Sequence, residues 1–161
     1  MKAIETYYKG YHFRSRLEAR WAKYFDVMGF EYLYEHEGFD LDSAGYYLPD
    51  FYLPHVDMWA EVKPKEFTTE EYEKLKGLAL FTQRPALMLV GVPDRKAYEA
   101  LHACTHNKET DIVTYEYILS NYHDYYRDEH RFYGAPAEDE VYWTEFDDVM
   151  DGILAAKSAR F

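Results

Sequence analysis

The clearest periodicity in the chain runs from Ser15 to Gly29. Leu17, Trp21, Tyr24 and Met28 recur at helical spacing and predict one buried face. Ser15 is a good N-cap, Glu18 stands three residues later as in a capping box, and Gly29 is placed to close the helix. Alternation of aromatic and charged residues from Tyr32 to Leu41 predicts a strand, and Asp42-Ser43-Ala44-Gly45 a turn back into a second strand, Tyr46 to Leu53. After a short turn at Pro54 to Asp57, a third strand runs from Met58 until Pro64, which has no ladder donor. Thr68 with Glu71 is a second capping box. Tyr72, Leu75, Leu78, Ala79 and Thr82 carry that helix to about Gln83. Ala86 to Val92 is nearly all apolar between Pro85 and Pro93 and predicts a buried strand. Ile112 to Leu119 reads equally as a strand or an aromatic helix. Tyr122 to Tyr133 mixes tyrosines with both charges. A last helix is expected over about Thr144 to Arg160, with Phe146, Val149, Met150, Ile153 and Leu154 available for burial.

These elements give a single α/β domain of 161 residues: a central mixed sheet flanked by helices over about residues 1–104, then an acidic, aromatic extension over about 105–161. No apolar run approaches a membrane span, the amino terminus lacks a signal-like stretch, and the one cysteine, Cys104, has no internal partner. A soluble, cytoplasmic protein is expected. The net charge of -12 disfavours general affinity for nucleic acid, but its distribution matters more than its sum. Residues 1–65 hold 8 Lys or Arg against 11 Asp or Glu, and residues 66–161 hold 10 against 19. Between residues 9 and 23 the balance reverses. Arg16, Arg20 and Lys23 fall at i, i+4 and i+7, a cationic row suited to a phosphate backbone.

The chemistry is concentrated between Pro49 and Lys63. On alternating strands Asp50 shares a face with Leu48 and Tyr52, and Glu61 shares one with Trp59 and Lys63. If the two strands are neighbours with those faces matched, two carboxylates and an ammonium converge. Such a set can hold a hard divalent cation and aim a water at a phosphate. The plain alternative is a surface hairpin with a weak Glu61/Lys63 pair. Glu18 likewise reads as a cap glutamate or as part of this centre. His102, Cys104 and His106 stand two residues apart, a step that shares no helix face and lacks the four ligands of a structural zinc site. His36 and His55 read as loop histidines beside the hairpin.

Pro49-Asp50 followed by Glu61-Val62-Lys63 resembles the signature of the PD-(D/E)xK nuclease superfamily, and Phe13 to Glu18 resembles its acidic helix segment. The closing Ala155 to Phe161 is similar to the tail of small, often phage-encoded proteins with that signature. The resemblance implies a restriction-endonuclease-like core and hydrolysis of a DNA phosphodiester by a water activated at Mg²⁺ or Mn²⁺. It implies Asp50, Glu61 and the Val62 carbonyl as metal ligands, Lys63 as the residue that orients the water and stabilises charge, and Glu18 near a second metal or its waters. Arg16, Arg20 and Lys23 would hold DNA phosphates. Lys74, on the helix after Glu-x-Lys, joins them by the same resemblance or is a solvated lysine. The rival reading is an acidic binding or inhibitor protein acting on a protein partner through its carboxy-terminal surface. An RNA or cyclic-nucleotide hydrolase and a homodimer also remain open.

Overall fold

Residues 6–13 form a ribbon that the patterning did not announce. Strands β1 (Thr6–Tyr8) and β2 (Tyr11–Phe13) pair antiparallel, with Tyr8 opposite Tyr11. The two-residue turn places Lys9 and Gly10 at φ 44 and 84, the positive values that a tight hairpin of matching twist demands. The computed structural model describes the backbone of residues 2–161 except 56, 85, 95–97, 107–110, 120–121, 125–128 and 134–140. It describes side chains for the same residues up to 94 and from 150 onward.

Helix α1 (Arg16–Met28) follows at once. The Ser15 side chain accepts the Glu18 N–H at 3.1 Å. At the other end Gly29 is left-handed (φ 75), and the Gly29 and Phe30 N–H groups bond to the Asp26 and Phe25 carbonyls. That pair of hydrogen bonds is the Schellman closure, and Phe25 and Phe30 are both buried behind it. The buried face is wider than the four expected residues, since Ala19, Ala22 and Phe25 join Trp21 and Tyr24 while Leu17 and Met28 are only partly buried. Two neighbours cover α1, the sheet and the last helix, so a single stripe does not suffice.

The two strands expected over residues 32–41 and 46–53 are each broken in two. β3 (Leu33–Tyr34) stops where Glu35 turns left-handed (φ 45) and gives its N–H to the Asp50 carbonyl. β4 (Phe39–Asp40) and β5 (Tyr46–Tyr47) pair with each other across a 3-10 turn, Asp42–Ala44, apart from the main sheet. β6 (Phe51–Leu53) begins only after Pro49, so Asp50 stands at the entrance of the strand rather than inside it.

β6 runs antiparallel to β7 (Met58–Lys63), and helix α2 (Thr69–Thr82) crosses over to β8 (Ala86–Val90), parallel to β7. β9 (Tyr98–His106) and β10 (Asp111–Leu119) extend the sheet, settling residues 112–119 as strand. The order β10-β9-β8-β7-β6-β3 is mixed, with one parallel pair. β11 (Tyr122–Asp124), β12 (Glu129–Tyr133) and β13 (Val141–Glu145) form a separate antiparallel sheet, and α3 (Phe146–Ser158) ends the chain. The fold among the described residues is α/β, with a mixed sheet and three α-helices.

β7 sorts the core by alternation. Met58, Ala60 and Val62 pack with Phe51, Leu53 and α1, while Trp59 packs with Leu75, Leu78 and Ala79 of α2. α3 returns to the α1 side, burying Ile153 and Ala156. The helices meet closely at Gly152, where a Cβ would stand 3.0 Å from Tyr24 and 3.1 Å from the Met28 sulfur. No helix among the described residues is long and apolar enough to cross a membrane.

Candidate active site

The register of β6 on β7 decides what Asp50 meets. Phe51 lies opposite Ala60 and Tyr52 opposite Trp59, so one further step sets Asp50 against Glu61 and the next sets Pro49 against Val62. The Asp50 N–H points to Glu61 Oε2 at 3.3 Å, and Asp50 Oδ2 accepts the Val62 N–H at 2.8 Å. Pro49, having no N–H, can give nothing to the Val62 carbonyl, which in a strand points to the same side as the Val62 N–H. The Pro-Asp pair thus leaves a carbonyl oxygen and a carboxylate side by side at the edge of β7. Lys63 reaches Glu61 Oε1 at 3.0 Å and Glu71 of α2 at 3.7 Å.

A second set of bonds braces this end of the sheet. Gly91, at φ 69 just past β8, donates its N–H to the Lys63 carbonyl at 2.8 Å and accepts the Trp21 indole N–H at 2.8 Å. One residue therefore ties α1, β7 and β8 together beside the carboxylates.

The electrostatics are those of crowded acid. Burial pushes the Asp50 carboxyl well above its usual range, and Glu61 and then Glu18 push it further; the Val62 N–H and Lys63 offset only part of this. For Lys63, burial alone would lower the ammonium, but Glu61, Asp50 and Glu71 outweigh it and hold it raised. Glu61 is 6 % exposed and Glu18 9 %, unusual for carboxylates and costly unless matched by donors or a cation.

Glu18 comes from the first turn of α1 and is held on both oxygens. Ser15 Oγ–H donates to Oε1 at 2.6 Å and Tyr34 O–H to Oε2 at 2.5 Å. Tyr34 in turn accepts the Arg14 N–H at 3.0 Å. The capping box expected here is therefore only half formed: Ser15 caps, but the glutamate does not return to the Ser15 backbone. Tyr47 was not singled out by the sequence. Burial raises its hydroxyl far above the ordinary phenol range, and Glu61, Asp50 and Glu71 around it add to the rise. Strict alternation from Asp50 would have faced Tyr47 away, and the break at Leu48-Pro49 turns it inward.

The other expected site residues divide. Arg16 is exposed in the first turn of α1, beside Glu18. Arg20 is engaged elsewhere, donating to the Ala156 and Lys157 carbonyls at the end of α3. Lys23 lies 5.6 Å over the Tyr8 ring. Lys74 pairs with Glu70 at 3.1 Å along α2. His36 stacks near Tyr52 at 6.2 Å. His102, Cys104 and His106 fall on β9, so the helix-face objection to them does not apply, but their side chains lie outside the described residues, as does most of the acidic stretch from Asp124 to Asp151.

Among the described residues no three His, Cys, Asp or Glu side chains form a ready metal-binding group. The donors at the end of β7 are all oxygen, from Asp50, Glu61 and the Val62 carbonyl, with Glu18 held by the Ser15 and Tyr34 hydroxyls. That set, short of positive charge and partly desolvated, fits a hard divalent cation in kind. Comparison of the chain with protein-family models, with curated proteins and with solved structures finds no match.

Proposed function

We propose that the chain is a divalent-metal-dependent nuclease that hydrolyses DNA phosphodiester bonds, built on a restriction-endonuclease-like core. The observation that carries this reading is the convergence of Asp50, Glu61 and Lys63 where β6 meets β7, with Asp50 driven up by burial and its acidic neighbours. Such crowding is hard to explain as structure alone, because an apolar replacement would cost less. The element order supports it too: acidic helix, Asp50 at the strand entrance, strand with Glu61 and Lys63, crossover helix, parallel strand.

Asp50, Glu61 and the Val62 carbonyl would hold Mg²⁺ or Mn²⁺. When bound, such an ion lowers the pKa of a water and offsets charge on the phosphate. Lys63, fixed by Glu61, stands where its ammonium can orient a water and stabilise negative charge growing on a phosphate oxygen. Arg16, exposed beside Glu18, would contact a phosphate, while Arg20 is bound to the end of α3. The test is incubation of the purified chain with linear, circular, nicked, branched and single-stranded DNA, with and without Mg²⁺ and Mn²⁺. Metal-dependent cleavage of at least one form is expected; none under any condition overturns the proposal.

A further inference from the structure

Two hydroxyls converge on one buried carboxylate, and neither is needed for that purpose by the helix. Ser15 Oγ already meets its capping role by accepting the Glu18 N–H, yet its own hydrogen goes to Glu18 Oε1. Tyr34 comes from the strand next to β6, sixteen residues later, and spends its hydrogen on Oε2. Its ring is fixed in an aromatic cluster, 4.5 Å from Phe13 and 5.6 Å from Phe51 between centroids. The Arg14 N–H approaches the phenol oxygen from the other side, which orients the O–H toward Glu18. Contacts this short between O–H and carboxylate are charge-assisted and restrict rotation of the acid.

A glutamate kept only as a cap would use its carboxylate on the N-cap N–H, as Glu71 does on Thr68. Glu18 forgoes that bond, and Tyr34, which binds its carboxylate instead, stands opposite Phe51, the residue after Asp50, while the next residue, Glu35, gives its N–H to the Asp50 carbonyl. We infer that Tyr34, assisted by Ser15, is a positioning residue that holds Glu18 beside the Asp50–Glu61 pair, where Glu18 acts on the bound cation and its waters. The inference rests on the metal-dependent reading of this centre. Mg²⁺ keeps several waters, so an acid held to one side has hydrogen-bond partners to order without joining the inner ligands.

The test is a double-mutant cycle of Tyr34→Phe and Glu18→Gln in the full chain, with two readouts: Mn²⁺ binding by calorimetry, and Mg²⁺-dependent cleavage of a linear DNA. Phe keeps the ring and its packing while removing only the hydroxyl. Tyr34→Phe should weaken Mn²⁺ several-fold and lower kcat about 10-fold with KM for DNA unchanged. In the Glu18→Gln background it should have no further effect on either, because its path runs through Glu18. Additive losses in the two backgrounds, or unchanged Mn²⁺ affinity with a lowered thermal midpoint, would show Tyr34 to be a packing residue and overturn the inference. A coupled loss of Mn²⁺ affinity in a protein that cleaves no DNA would sustain the positioning role and overturn the nuclease reading alone. Failure of the wild type to bind Mn²⁺ would overturn both.

Discussion

The helices α1 and α2 begin with the same four-residue signature and use it differently. At α2, Thr68 Oγ1 accepts the Glu71 N–H at 3.2 Å, and Glu71 Oε2 takes the Thr68 N–H at 2.9 Å, a complete capping box on the surface. At α1, Ser15 caps in the same way, but the Glu18 carboxylate is buried and turned to Tyr34 and the Ser15 hydroxyl. The local signal specifies the helix start in both cases. What the glutamate does afterwards is decided by what stands beside it: solvent and Lys63 at α2, the Tyr34 hydroxyl of β3 at α1. One glutamate completes a cap; the other is turned inward and bound by two hydroxyls.

The difference sharpens most strongly at the centre Glu18 faces. Lys63→Ala should slow cleavage by about 10²–10³-fold, as removal of a charge-stabilising donor does, while Mn²⁺ binding survives. Loss of both together would mean that Lys63 holds the fold of the edge rather than the reacting phosphate. Next in size is the direct contrast. Glu18→Gln should lower cleavage by about 10–100-fold with the thermal midpoint little changed. Glu71→Ala should leave cleavage within about threefold and destabilise by about 0.5–1 kcal/mol through the lost cap. Equal effects of the two on activity would erase the distinction.

Asp50 gives a test in pH. Its folded-state pKa is raised above the unfolded value near 4, so its contribution to stability is fully present below that value and is lost as pH climbs through the folded pKa. Wild-type melting should therefore fall from mildly acidic toward neutral pH in the absence of metal, and Asp50→Asn should flatten this slope and melt higher at neutral pH. A variant that melts lower throughout would show Asp50 to be a structural acceptor for the Val62 N–H.

Smaller effects test the cationic row. Arg20→Ala should cost about 1–2 kcal/mol by freeing the last carbonyls of α3, with DNA affinity unchanged. Arg16→Gln should leave stability alone and reduce the salt slope of DNA binding by about 1. The reverse pattern would restore the three residues to one phosphate-binding face.

Helix starts and stops and the end of β7 were legible because they are local: Ser15, Gly29, Thr68 and Pro64 act within a turn of where they stand. The convergence of Asp50, Glu61 and Lys63 was legible because strand alternation is a strict rule and the register is short. The split of the first two strands was not. It depends on Glu35 at positive φ bonded to the Asp50 carbonyl, a contact across fifteen residues with no mark in the sequence. Tyr47 and Tyr34 were hidden for the same reason, since each reaches the acids only once the broken strands are placed. The role of Arg20 needed the far end of the chain.

The most direct measurement is cleavage of a linear DNA by the wild type and by Glu61→Gln across a titration of Mg²⁺. Glu61 touches both Asp50 and Lys63, and Gln keeps its shape while removing the charge. The expected result is saturable, Mg²⁺-dependent cleavage by the wild type and none above background for the variant at any Mg²⁺ concentration, with both proteins folded. Cleavage by the variant at the wild-type rate, or none by the wild type, would contradict the assignment of a metal-dependent hydrolytic centre to the β6–β7 edge.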